Sequence, residues 1–227
     1  MAFSVEFGNI VPMQKLAPLI FAVACLGCAG NPAIQETPWF CALSEAQTEA
    51  VIEKARAHRA DHSAKMARAV MIKDEARNCW GPAALFLGAR LESKAFVLID
   101  KRLIQLTAQE TPGRALTEVD PLLIGLALTA HRSSGAAERA VSRLVEMSAP
   151  KWWTIQDPTE YASPQAQLDA ARVRAQSALY ALPYTGSAKA VVALRAMRDD
   201  FEAVHQLGDG ARSFLTDLIR QTRAREK

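Results

Sequence analysis

Three prolines set the frame of this chain. Pro82, Pro121 and Pro164 each stand at the head of an Ala/Leu-rich run. Proline is favoured at the first helical position, where its missing N–H has no partner to lose, and is disfavoured in helix interiors. Asp120 and Ser163 precede two of them and belong to the residue types that cap a helix N-terminus. The prolines recur roughly every 40 residues, the scale on which helical pairs repeat. Each opens a short helix, then a polar or Gly/Ser turn, then a second helix. The pairs are PAALFLGARL with SKAFVLIDKRLIQLTAQ, PLLIGLALTAHR with AAERAVSRLVEMSA, and PQAQLDAARVRAQSALYAL with SAKAVVALRAMRDDFEAVHQL. A last helix, ARSFLTDLIRQTRAR, follows Gly208-Asp209-Gly210. No alternating apolar–polar stretch marks a strand, so the expected fold is all-α.

This pattern resembles the HEAT-repeat family of α-solenoids. Small residues in the first helices carry the resemblance: Ala84, Gly88, Ala127, Ala175 and Ala178. Matching apolar positions in the second helices are Phe96, Val97 and Ile99, then Val141, Leu144 and Val145, then Val191, Val192 and Leu194. The likeness runs from Pro82 to Arg223. It implies antiparallel helix pairs stacked as a short solenoid, preceded by a long helix or helical hairpin. Such a surface suits recognition of a protein rather than chemistry. The turn Asp and following Arg that punctuate HEAT pairs are not consistently present, and an irregular helical bundle is the alternative. The expected organisation is a signal segment at 1–28, a linker at 29–42 and an all-α domain at 43–227. That domain divides into a helical N-terminal region at 43–79 and repeats at 80–227.

The N-terminal segment gives an address. LAPLIFAVACLG, from Leu16 to Gly27, carries no charge and follows Lys15. Its length fits the hydrophobic region of a signal peptide and falls short of the ~20 residues a spanning helix needs. Met13 is a second candidate start, because the residues before it contain Glu6 and no base. Cys25-Leu26-Gly27-Cys28 resembles the lipobox of bacterial lipoproteins at Gly27 and Cys28, and departs from it at Cys25 and Leu26. The resemblance implies lipidation of Cys28 and a lipid anchor in the bacterial cell envelope, periplasm-facing or at the outer membrane. Cys25, preceded by Ala22-Val23-Ala24, is the alternative acceptor, and the same tripeptide also reads as an ordinary cleavage site.

Cys41 and Cys79 would remain after processing, in a compartment where disulfides persist. A bridge needs their Cα atoms within about 7 Å. A straight helix between them would hold its ends ~50 Å apart. Bridging therefore requires a fold-back near HRADHS, where Asp61 and Ser63 offer caps. Ser44-Glu45-Ala46-Gln47 forms a capping box for the first arm, and KMARAVMIKDEARN is the second. Two separate thiols are the alternative.

Other motifs carry little chemistry. A net charge of +3 with acids and bases interspersed gives no basic stripe for nucleic acid. His58 and His62 are weak metal candidates: four apart, they share a helix face but lack a third ligand. No cofactor is expected. Cys79-Trp80-Gly81 superficially resembles the Cys-Trp pair of papain-like proteases, but the rest of that signature is absent. Neither a Gly-rich phosphate loop nor a G-x-S-x-G elbow occurs, so an enzyme is not expected. APKWWTIQDPTEYASP is a long insertion between repeats with Trp152, Trp153 and Tyr161 as partner-binding candidates. The competing expectation is that at least one tryptophan folds back over the seam. The function expected is that of an envelope-anchored lipoprotein, a non-enzymatic scaffold for an unknown protein partner. The alternative is a periplasmic helical-bundle ligand-binding protein or an enzyme of unknown reaction.

Overall fold

The computed structural model describes residues 38–42, 48–57, 61–90, 94–109, 115–130, 134–156 and 160–226. Every regular element among them is helical. In chain order the α-helices are α1 (Thr48–Ala57), α2 (Asp61–Ile72), α3 (Trp80–Ala89) and α4 (Ala95–Gln109). They continue as α5 (Ala115–Leu128), α6 (Ser134–Met147), α7 (Pro150–Gln156) and α8 (Pro164–Ala181). Last come α9 (Ala188–Asp199), α10 (Phe201–Leu207) and α11 (Ala211–Arg225). Three-residue-per-turn segments lie at Trp39–Ala42, Asp74–Cys79 and Leu182–Thr185. Thr37–Lys227 forms one compact unit.

The core is built on α3. Nine of its ten residues are buried, the expected fate of a helix that is apolar on every side. It packs against α1, α2, α4 and α5. Its seam with α5 draws close at three glycines, Gly81, Gly88 and Gly125. A methyl group at Gly88 would lie 2.3 Å from the Gly125 carbonyl oxygen. One at Gly125 would lie 2.6 Å from the Ala84 carbonyl carbon, and one at Gly81 would lie 2.8 Å from Pro121 Cβ. The N-terminal part of α3 thus meets Pro121 while its C-terminal part meets Gly125 and Leu128, so the two helices run parallel. Helix α5 also packs against α4, α6 and α8, and α8 packs against α6 and α7. Helix α11 packs on α9 and on Leu182–Thr185.

Tertiary packing moves several expected boundaries. Pro121 does not open α5; the helix begins at Ala115 and carries the proline inside. The ring removes one helical hydrogen bond, but it supplies a smooth apolar face against Gly81. Pro82 lies in the first turn of α3, two residues after Trp80. Only Pro164 stands at its helix start, with the Ser163 hydroxyl accepting from the Ala166 N–H at 3.1 Å. The segment KMARAVMIKDEARN is not one helix. Helix α2 stops at Ile72, and Ala76 leaves helical geometry at φ −91°, ψ 19°. Two carbonyls at this end find other donors: Arg102 Nε reaches Met71 O at 2.6 Å, and Trp80 Nε1 reaches Lys73 O at 3.0 Å. The Arg102 guanidinium also lies 4.1 Å from the Trp80 ring centre.

Two of the matching apolar positions point outward: Val97 and Val192 are exposed, whereas Ile99, Leu144 and Leu194 are buried. A helix that packs on one side hides only one stripe, and adjacent residues are about 100° apart around its axis. The second helix of the third pair breaks at Asp200, whose carboxylate caps α10 through the N–H groups of Glu202 and Ala203. The stretch at 29–42 is not a linker throughout, since Phe40 is fully buried in the core.

Candidate functional site

The tryptophan-bearing insertion folds as α7, which packs against α4, α6 and α8. Its two tryptophans have different fates. Trp153 is fully buried, and its indole N–H donates to the Met147 carbonyl at 2.5 Å. It fills the gap at the end of α6, which removes it from the surface. Trp152 is half-buried and meets Trp153 edge to face, with ring centres 4.8 Å apart at 81°. Tyr161 is half-buried beyond the end of α7.

An arginine stands at each end of the tryptophan pair. The Arg143 guanidinium sits 5.1 Å from the Trp152 ring centre, and the buried Arg174 sits 5.9 Å from that of Trp153. Arg143 belongs to α6 and reaches across to α4: Nε donates to Asp100 Oδ1 at 2.7 Å, and Nη1 donates to Glu146 Oε2 at 2.7 Å. Burial opposes the charge on Arg143, yet the hydrogen bonds to Asp100 and Glu146 prevail and its pKa is raised. The guanidinium is thereby fixed in orientation, with Trp152 held under it. Ile155, one helical turn from Trp152 on α7, is 69% exposed. The corner where α4, α6 and α7 meet thus offers an aromatic edge, an apolar side chain and oriented charges of both signs. Such groups anchor protein contacts. Nothing near it in the sequence marks Asp100 as part of this corner. Arg143 and Glu146 are a legible one-turn pair, but Asp100 lies 43 residues away and no local signal joins it to them.

Cys41 and Cys79 are brought together and bridged, with Cα atoms 5.0 Å apart. The chain between them folds back: α1 ends at Ala57, α2 starts at Asp61, and both pack on α3. His62 is exposed on α2, while His58 lies outside the described residues. Among the described residues no group of three or more His, Cys, Asp and Glu is placed to hold a metal. Nor is any helix among them long and apolar enough to cross a membrane. The lipidation candidates Cys28 and Cys25 lie outside the described residues, as does the capping box at 44–47.

A second cluster ties the two ends of the unit. Tyr184 donates to Glu49 Oε1 at 3.0 Å, and Arg225 lies 3.9 Å from the Tyr184 ring centre. Burial and then the hydrogen bond to Glu49 push the Tyr184 pKa up to about 12. This joins α1 to α11 and is a structural tie. No family model matches the chain, and neither a curated protein nor a solved structure is similar to it.

Proposed function

We propose that this protein is a cell-envelope lipoprotein, anchored through Cys28 with Cys25 as the alternative, whose HEAT-like helical domain binds another protein without doing chemistry. The observation that carries the scaffold reading is the row of first helices, α3 beside α5 beside α8. Helix α4 packs on α3 and α5, and α6 packs on α5 and α8. That is the neighbour pattern a solenoid needs in order to bury a continuous core. The bridge between Cys41 and Cys79 is in keeping with an oxidising compartment.

The surface favoured for the partner is the α4–α6–α7 corner with Trp152, Arg143 and Ile155. Mass spectrometry of the native protein tests the address: a diacylglyceryl adduct on Cys28 is expected, and an unprocessed N-terminus refutes it. A photo-crosslinker at Ile155 tests the surface in intact cells. The expected product is one discrete adduct that Trp152→Ala abolishes while lowering the Tm by only about 3 °C. No adduct at Ile155, alongside a discrete adduct from a probe elsewhere on the domain, moves the partner to another face.

A further inference from the structure

Three consecutive residues, Trp39, Phe40 and Cys41, all land on α3. The Cys41 sulfur is bonded to Cys79, the cap residue of α3. The Phe40 ring stacks on Phe86 in the middle of that helix at 5.1 Å, and the Trp39 ring meets the edge of Phe86 at 5.7 Å. Phe40 is fully buried, and Lys54 of α1 lies 4.2 Å from the Trp39 ring centre. The segment Pro38–Ala42 is therefore a strap fastened to the most buried helix covalently at one end of that helix and by ring packing at its middle. Helices α1 and α2 form a closed loop hanging between the two cysteines.

From this arrangement we infer that the strap and its bridge are a mechanical anchor that carries tension from the N-terminal side. Tension entering from the N-terminal side reaches Cys41, crosses to Cys79, and passes into α3 without being carried by α1 or α2. The inference rests on the N-terminal tether proposed above, since a freely diffusing protein has no such load to bear. Covalent geometry decides the route: a disulfide resists forces that peel apart helices held by side-chain packing. Beyond α3 the load meets the α3–α5 seam, where Gly81, Gly88 and Gly125 bring two backbones into contact.

Single-molecule pulling on the full chain tests this, with handles at position 29 and at the C-terminus introduced through bioorthogonal side chains. The oxidised protein is expected to unfold without an early low-force step from its N-terminal side. Its total released length falls short of the reduced chain's by roughly 140 Å, the extended length of a loop of 38 residues. Reduction of the folded protein, and independently the Cys41→Ser/Cys79→Ser variant, adds a step of about that length at lower force, before the core breaks. A low-force step in the oxidised chain whose length matches release of the strap together with α3 overturns the inference, because the anchor then yields before the core. So does an unbridged chain that gives up the extra length only at the force that breaks the core. Mass spectrometry of Cys28 reports on the tether separately: an unmodified Cys28 removes the membrane load while leaving the pulling result to stand or fall by itself.

Discussion

Replacing Gly88 by alanine forces the α3–α5 seam open, and the spacing of the two helices sets the scale. The new Cβ would sit 2.3 Å from the Gly125 carbonyl oxygen and 2.9 Å from Leu128 Cβ. An ordinary carbon–oxygen contact is about 3.4 Å, so the helices must part by about 1 Å, a gap that forfeits a quarter to a half of each contact across it. Overpacking of this kind costs about 3 kcal/mol, while alanine regains about 1 kcal/mol over glycine inside a helix. The expected result is a net loss of about 2 kcal/mol. Gly125→Ala, with its Cβ 2.6 Å from the Ala84 carbonyl carbon, should behave alike. Gly135→Ala is the matched control: it lies in α6 with nothing within 4 Å of the added Cβ. There only the helix preference acts, and a gain of up to about 0.5 kcal/mol is expected. Urea unfolding followed by far-ultraviolet circular dichroism reads all three. A Gly88→Ala protein as stable as Gly135→Ala would refute the backbone-contact seam.

Reducing the Cys41–Cys79 bridge frees a loop of 38 residues, and loop entropy puts the loss at about 4 kcal/mol. Calorimetry should place the reduced protein's Tm lower by about 10 °C. Trp153→Ala empties a fully buried site and should cost about 3–5 kcal/mol. Trp152→Ala, by contrast, removes an edge contact and a half-buried cation–ring pair and should cost about 1 kcal/mol. Equal losses in chemical denaturation would mean that Trp152 is core as well. Tyr184 gives a pH signature. Its folded pKa of about 12 lies above the ordinary phenol value of about 10. Its contribution is therefore complete below pH 10 and is lost as the pH rises towards 12, by up to about 3 kcal/mol. Tyr184→Phe should lack that component, so the stability gap between wild type and variant should shrink between pH 10 and 12. A gap that stays constant sinks the assignment.

Much of the helical plan was legible along the chain. Ala/Leu-rich runs without alternation specify helices, and Ser163-Pro164 marks the start of α8 because cap and proline act within one turn. The last helix also lies where its apolar spacing and the preceding Gly208-Asp209-Gly210 put it. These signals are local, carried by residues a turn apart, and a sequence displays such neighbours directly.

What only the tertiary structure decided depends on residues far apart. Pro121 sits inside α5 because Gly81, forty residues earlier in the chain, leaves room for its ring. Trp152 and Trp153 are adjacent and chemically identical. One is buried and the other half-exposed because α7 turns a single face towards α6 and α8. Arg143 is oriented by Asp100 on another helix, and Phe40 joins the core because the bridge beside it holds the strap on α3. The sequence alone determined most of the helical segments, though not α7 or the breaks after Ile72 and at Asp200. Contact between backbones and between distant side chains determined where those helices begin, which faces they hide, and where a partner could be met.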